Sequence, residues 1–433
     1  MNTAIPIHRT HTQLRFLLLL PLLMAVCDQG VADDWPQFRG PRRDGVSRET
    51  NLPKAWPEGG PKRLWLSTNL GSGYSGPAIV GEKIYIMGQR ANAQWLLCLD
   101  ANDGKELWVT RLGEPYANEF GDGPRGTPTV QNSLVFALGA NGELLCAEAA
   151  TGRERWRTNL PALGGTVPGW GYTESPLVDG PRVMVTPGGE KGAVVAIDIR
   201  TGRSVWQSRE FTDEAQYTSL MVLEKGGVRQ YISGNRERVA GLAADDGRLL
   251  WQQKFRSGVV VSQSPIVSGD QVYMVAAGGT GCKAVKLTAP GAVEVVYANK
   301  VMKNLPGGVV LFDGHLYGYS DSIGWVCQNW ETGDEVWLSK ALDKGTLTVA
   351  GDKMICLTED TGVVALAEAS PKGWKEISRF VLTPQSERRA LKAKVWTPPV
   401  IAHGRLYLRD QENLCCFEIQ AGVPPSNSTG TRN

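Results

Sequence analysis

Apolar and polar positions along the chain come in short bursts that repeat. Each burst opens near Ser/Thr-Pro, runs through a few apolar residues, turns at Gly and resumes as a second apolar run. Ser175-Pro176-Leu177-Val178-Asp179-Gly180 followed by Arg182-Val183-Met184-Val185 is one copy. The frame recurs at Gly76-Pro77, Thr127-Pro128, Ser264-Pro265 and Thr397-Pro398, and in weaker form at Ser219-Leu220, Gly308-Val309 and Thr346-Leu347, which makes eight starts. Pro suits the first residue of a strand, where no ladder donor is needed, and Gly supplies the positive φ of a tight hairpin.

A third run then leads into a closing phrase, as in Cys98-Leu99-Asp100-Ala101-Asn102-Asp103-Gly104-Lys105-Glu106-Leu107-Trp108. The phrase ends again at Trp156, Trp206, Trp251 and Trp337, at gaps of 156−108 = 48, 206−156 = 50, 251−206 = 45 and 337−251 = 86 residues. The last gap holds one degenerate copy. A period of about 40–50 residues marks supersecondary units that bury their apolar faces only by stacking on neighbours. The last unit has a third strand over Leu414 to Ile419 but no Trp strand, whereas Lys62-Arg63-Leu64-Trp65-Leu66-Ser67 is a Trp strand with no front half. Joining the two closes a ring and removes its open edges. The pattern predicts an all-β fold: an eight-bladed β-propeller of four-stranded antiparallel blades over residues 62–420, closed by an N-terminal strand that completes the last blade. Trp65, Trp108, Trp156, Trp206, Trp251 and Trp337 are expected to dock one blade on the next.

The copy Ala196-Ile197-Asp198-Ile199-Arg200-Thr201-Gly202-Arg203-Ser204-Val205-Trp206 resembles the blade signature of the pyrroloquinoline-quinone (PQQ) repeat superfamily. That superfamily includes PQQ- and calcium-dependent dehydrogenases and the cofactor-free propeller of the outer-membrane assembly machine (BamB-like). The stretches Asp34-Trp35-Pro36-Gln37-Phe38-Arg39-Gly40-Pro41, Tyr317-Gly318-Tyr319-Ser320-Asp321 and Leu406-Tyr407-Leu408-Arg409-Asp410-Gln411 are similar to exported PQQ-like propeller proteins of planctomycete type. The resemblance implies a scaffold and a compartment rather than a reaction.

Outside the repeat, Arg9 and Arg15, an apolar run from Phe16 to Val26 and a cleavage site at Gly30-Val31-Ala32 read as a secretory signal over residues 1–32. Cys27 raises lipid attachment, but the residues before it fit that pattern poorly. Residues 33–61 form an N-terminal extension, and 421–433, rich in Pro, Ser, Asn, Thr and Gly, a disordered tail. The protein is thus expected to be exported, periplasmic or envelope-associated, monomeric, and without a transmembrane domain once the signal is removed. With 46 basic and 44 acidic residues and no basic block, nucleic acid is excluded as a partner. The cysteines read as buried free thiols, and Cys415-Cys416, inside a strand, should point to opposite faces instead of forming a vicinal disulfide. His315 and His403 fall in hairpin turns, and no zinc spacing, nucleophile elbow or phosphate loop is present.

Ligands of propellers sit at the mouth of the central channel. The residue before each start should ring that mouth: Ser75, Gly126, Glu174, Thr218, Gln263, Gly307, Gly345 and Trp396. Arg125 and Trp170 join from the preceding loops, which also carry Tyr116, Phe120 and Tyr172. Arg125, Glu174, Gln263, Trp170 and Trp396 are the ligand-binding candidates, and pairing of Arg125 with Glu174 is the structural alternative. The expected function is an exported, non-catalytic scaffold binding a protein or other envelope ligand through one face, with no cofactor. The alternatives are a PQQ- and calcium-dependent oxidoreductase of an alcohol or sugar, marked by an acidic calcium shell with a second carboxylate, and a carbohydrate-binding module, marked by an aromatic platform without that shell.

Overall fold

The computed structural model describes Met1 and residues 33–420 except Pro290; the expected signal segment and tail lie outside the described residues. Eight sheets of antiparallel strands follow one another in chain order. Blade 1 runs from Ala78–Val80 to Glu106–Gly113 and blade 2 from Thr129–Gln131 to Glu154–Asn159. Blade 3 covers Leu177–Asp179 to Ser204–Gln207, blade 4 Met221–Lys225 to Leu249–Lys254, and blade 5 Ile266–Ser268 to Ala292–Asn299. Blade 6 covers Val309–Phe312 to Glu335–Ser339, and blade 7 Gly345–Ala350 to Glu376–Val381. In blade 8, Val400–Ala402, Arg405–Asp410 and Asn413–Glu418 are completed by Arg63–Ser67, with Trp65 opposite Cys416 and Leu66 opposite Cys415. The eight-bladed ring closed by an N-terminal strand is therefore the observed fold.

The core is not central. Eight apolar clusters sit between the eight neighbouring pairs of blades, and successive residues of a strand feed clusters on opposite sides. In blade 2, Val135 and Ala137 pack towards blade 1, whereas Phe136 and Leu138 pack towards blade 3. Both faces of the middle strands are buried, so they read as unbroken apolar runs. Cys415 faces blade 7 and Cys416 faces blade 1, and the described cysteines are free and buried.

The Gly–Trp phrase is the joint between blades. The Trp156 indole N–H donates to Ile199 O of blade 3 at 2.8 Å, and the ring covers Gly202, whose φ of +69° favours glycine. Trp65, Trp108, Trp206 and Trp337 likewise donate to Ala101, Ala149, Ala244 and Ser370 of the next blade. Trp251 also packs between blades 4 and 5, as expected of a docking residue, but its indole N–H donates to Gln230 within its own blade. The degenerate copy is blade 5, where Tyr297 takes the Trp position, donates to Trp330 O at 3.1 Å and covers Gly333. Blade 7 has no Trp there. Trp56 of the extension fills the joint between blades 7 and 8, edge-on to Phe380 at 5.2 Å.

The extension is not peripheral. Trp35 exchanges backbone hydrogen bonds with Ile79, Val130 N–H donates to Pro36 O, and Val46–Ser47 adds a parallel fifth strand to blade 7. Arg39 donates to Val309 O of blade 6 at 2.6 Å, and Arg43 to Ser175 O and Pro176 O of blade 3 at 2.9 and 3.2 Å. These contacts fall at or beyond the starts of the inner strands, so residues 35–47 plug the channel below its mouth.

Candidate functional site

Between this plug and the mouth loops lies a cavity of about 410 Å³, floored by Trp35, Phe38 and Arg39. The inner strands reach it through a girdle of hydroxyls. Thr127 N–H donates to Ser175 Oγ at 2.8 Å, Ser175 N–H to Ser219 Oγ at 2.9 Å, and Ser219 N–H to Ser264 Oγ at 2.8 Å. The Ser of each start thus holds the preceding blade through its oxygen. Gln263 extends the girdle: its Oε1 accepts from Val309 N–H at 2.9 Å and its Nε2 donates to Ser264 O at 2.8 Å.

Aromatic side chains form the rim. Trp170 lies 5.0 Å from Tyr217 and 5.4 Å from Phe120, Phe120 lies 6.4 Å from Trp396, and Trp396 lies 5.3 Å from Tyr74, all between ring centres. Neighbouring loops grip one another: Tyr116 Oη donates to Gly169 O at 3.0 Å, and Trp170 N–H to Tyr217 Oη at 3.2 Å. Arg125 is seated within this arc, 4.8 Å from the Tyr116 ring centre and 5.8 Å from that of Tyr74. Its guanidinium donates to Gly121 O at 2.7 Å and to Gly123 O. Burial pulls its pKa down against the nearby tyrosines.

The opposite wall carries charges that the sequence did not flag. Lys344 lies 2.9 Å from Asp321 and 4.0 Å from Glu359, and the Trp396 indole N–H donates to Glu359 Oε2 at 2.8 Å. Burial raises both carboxyl pKa values, and Lys344 opposes the rise.

Of the eight residues expected to ring the mouth, Gln263, Gly307 and Trp396 line the cavity. In blades 1 to 4 the lining residues are instead the flanking pairs Tyr74/Gly76, Arg125/Thr127, Thr173/Ser175 and Tyr217/Ser219. The expectation was one residue out of register, which turns every side chain to the other face. Glu174 therefore lies outside the cavity, 2 % exposed, with Oε1 accepting from Thr186 N–H at 2.6 Å. Its expected pairing with Arg125 does not occur: the opposing charge near Glu174 is Arg43 of the plug, and burial outweighs it to raise Glu174 to about 7. Arg125, Trp170, Gln263 and Trp396 do share the cavity, although Gln263 has both ends of its amide engaged with backbone. Tyr172, expected on the loop surface, is 1 % exposed and packs between blades 2 and 3.

The donor set does not fit the PQQ and calcium site that the resemblance implies. The second carboxylate missing from the sequence reading is here as Asp321, 2.9 Å from Lys344, and Glu359, which accepts from Trp396. Among the described residues no group of three or more His, Cys, Asp or Glu is placed to hold a metal ion. Cys415 and Cys416 lie on opposite faces of a strand outside the cavity lining.

Comparison with known proteins agrees with the repeat. The family described as outer membrane protein assembly factor BamB matches residues 92–286. BamB of Salmonella typhimurium is 25% identical over 411 residues, 82% of this chain and 99% of that protein. BamB of Burkholderia pseudomallei is 22% identical over 348 residues, 70% and 87% of the two chains. Among solved structures, BamB from Moraxella catarrhalis superposes with a TM-score of 0.59 at 16% identity, over 81% of this chain and 95% of that one. Quinohemoprotein alcohol dehydrogenase from Comamonas testosteroni gives 0.60 at 13% identity, over 90% and 81%. The structural likenesses carry the fold alone, common to an assembly factor and an enzyme. By its Gly–Trp repeat, its eight blades and these matches, the chain is similar to the PQQ-like, BamB-like β-propeller proteins.

Proposed function

We propose that the protein is an exported, non-catalytic β-propeller that binds a protein or other envelope ligand through the face bearing the cavity. The observation that carries this reading is the mouth itself: an aromatic arc seated around a half-buried Arg125, opposite Asp321 and Glu359, which meet Lys344 and Trp396 instead of a metal position. Aromatic residues and Arg are the side chains over-represented at binding hot spots. The BamB relatives, named as assembly factors for outer membrane proteins, support a protein partner in the envelope, and the apolar N-terminal run supports export. The aromatic arc also favours a second reading, binding of carbohydrate.

The test is a photo-cross-linking side chain placed in living cells at exposed Glu119 on the rim, and at exposed Lys372 in a turn of blade 7 as control. Adducts from the rim position alone support the proposal; equal labelling at both, or none, refutes it. Calorimetric titration with PQQ and calcium is expected to give no saturable heat. Calcium-dependent binding that is lost in Arg125→Ala would overturn the non-catalytic reading.

A further inference from the structure

The cavity presents three kinds of chemistry at once. Its rim offers ring faces, from Tyr217 through Trp170 and Phe120 to Trp396 and Tyr74. Its girdle offers hydroxyl protons: the oxygens of Ser175, Ser219 and Ser264 already accept backbone N–H groups, and among the described residues none of the three hydroxyls has an acceptor. Thr173 and Ser262 line the cavity as well, but their hydroxyl oxygens, like Arg39 Nε, are sealed beneath its surface without a partner. The three girdle hydroxyls, each left with a proton to donate, point to a ligand rich in oxygen. Its charge is also one-sided: Arg39, Arg125 and Lys344 line it against Asp321, with Glu359 set behind Lys344 and Trp396.

On the reading above, which this inference deepens, we propose that the cavity binds an acidic saccharide, a sugar-acid unit of disaccharide size carrying at least one carboxylate. The sugar rings lie against the aromatic arc, their oxygens accept from the hydroxyl girdle, and a carboxylate meets Arg125 or Arg39. A neutral sugar leaves the excess positive charge unanswered. A flat aromatic acid brings acceptors only at its carboxylates and none spread along the girdle, and each unpaired buried group has a cost. The volume lies in the range of ~300–1,000 Å³ typical of small-ligand pockets.

The test uses the protein expressed from the full chain, titrated by calorimetry and tryptophan fluorescence with digalacturonate, neutral galactobiose and isophthalate. Digalacturonate is expected to bind about tenfold tighter than galactobiose at about 0.05 M salt, with the gap shrinking towards about 0.5 M as screening grows. Arg125→Gln and Arg39→Gln each remove one lining charge. At least one of them should bind digalacturonate at least about tenfold more weakly, as loss of a hydrogen bond to a charged group requires, while binding galactobiose like the parent. Equal affinity for the acidic and neutral sugars, tighter binding of isophthalate, digalacturonate affinity unchanged in both variants, or no binding of any probe overturns the proposal. Persisting rim cross-links alongside such a result would sink the ligand class and leave the binding face standing; loss of both would sink both.

Discussion

Replacing Gly202 by Ala would set a methyl group about where Trp156 already lies. An ideal Cβ there comes within 2.7 Å of Trp156 Cδ2, at a backbone φ of +69°. Overpacking of this kind costs about 1–3 kcal/mol, and the left-handed conformation adds roughly 1 kcal/mol for a residue with a side chain. Trp156→Ala removes a ring that is 8 % exposed and a 2.8 Å hydrogen bond to Ile199 O, for about 3–5 kcal/mol. In the double variant the methyl group enters the space vacated by the indole, so Gly202→Ala should then cost only its backbone component, roughly 1 kcal/mol. The expected coupling is about 2 kcal/mol, measured as a double-mutant cycle by equilibrium urea unfolding with m-values checked for constancy. A Gly202→Ala cost equal in both backgrounds to within about 0.5 kcal/mol would refute the joint.

Glu174 gives a pH signature. At about 7 folded against an ordinary 4.5, it holds its proton more tightly in the native state, so its stabilising contribution is complete below 4.5 and is lost as pH rises through 7. Glu174→Gln, uncharged throughout, should therefore gain on the parent by about 3 kcal/mol between pH 4.5 and pH 8 in urea titrations, and a flat difference would contradict the burial argument. Arg43→Met strips Ser175 O of its side-chain donor and leaves Pro176 O with only the Thr129 hydroxyl. It should destabilise the ring by about 2–4 kcal/mol and expose residues 33–61 to limited proteolysis, whereas parental resistance would mean that the plug is not held there. Burial pushes Cys98, Cys146, Cys327 and Cys416 up to about 12 and Cys415 to about 11. A chromogenic thiol reagent at pH 8 should label them only after denaturation, and rapid labelling of Cys415 or Cys416 in the native protein would show that the last blade opens.

The ring was legible in the sequence because its joint is written repeatedly: a Gly that must accept a positive φ and a Trp a few residues on that covers the preceding Gly's successor. Tyr297 in blade 5 and the missing Trp of blade 7, where Ser378 stands opposite Leu366, broke the spelling, but not the spacing on either side. The plug was not legible. Trp35 to Arg43 occurs once, and what it grips is backbone, the carbonyls of Ser175, Pro176 and Val309, which leave no mark on the partner sequence. The candidate site was read in part. Arg125, Trp170 and Trp396 could be placed from loop position, but period-two alternation fixes a face only once register is known, and one residue of error moved Glu174 into the wall and hid Tyr74 and Tyr217. Asp321, Lys344 and Glu359 come from separate turns and meet only because two blades stand side by side.

The closing strand makes the ring depend on the whole length of the chain. Arg63 pairs with Phe417, so 417−63 = 354 residues must be in place before the earliest strand of the propeller finds its partner. Ring closure is then among the slowest contacts to form, and until it does the last blade presents an open edge and the cluster around Trp65, Tyr407 and Cys416 stays unassembled. A chain cut short by even the final strand, Asn413–Glu418, would lose the circular restraint on all eight blades along with that one strand. The fold thus contains a test of completeness: only a chain made to its end becomes a closed, edge-free object, and an unfinished one is left marked by the sheet edge it cannot cover.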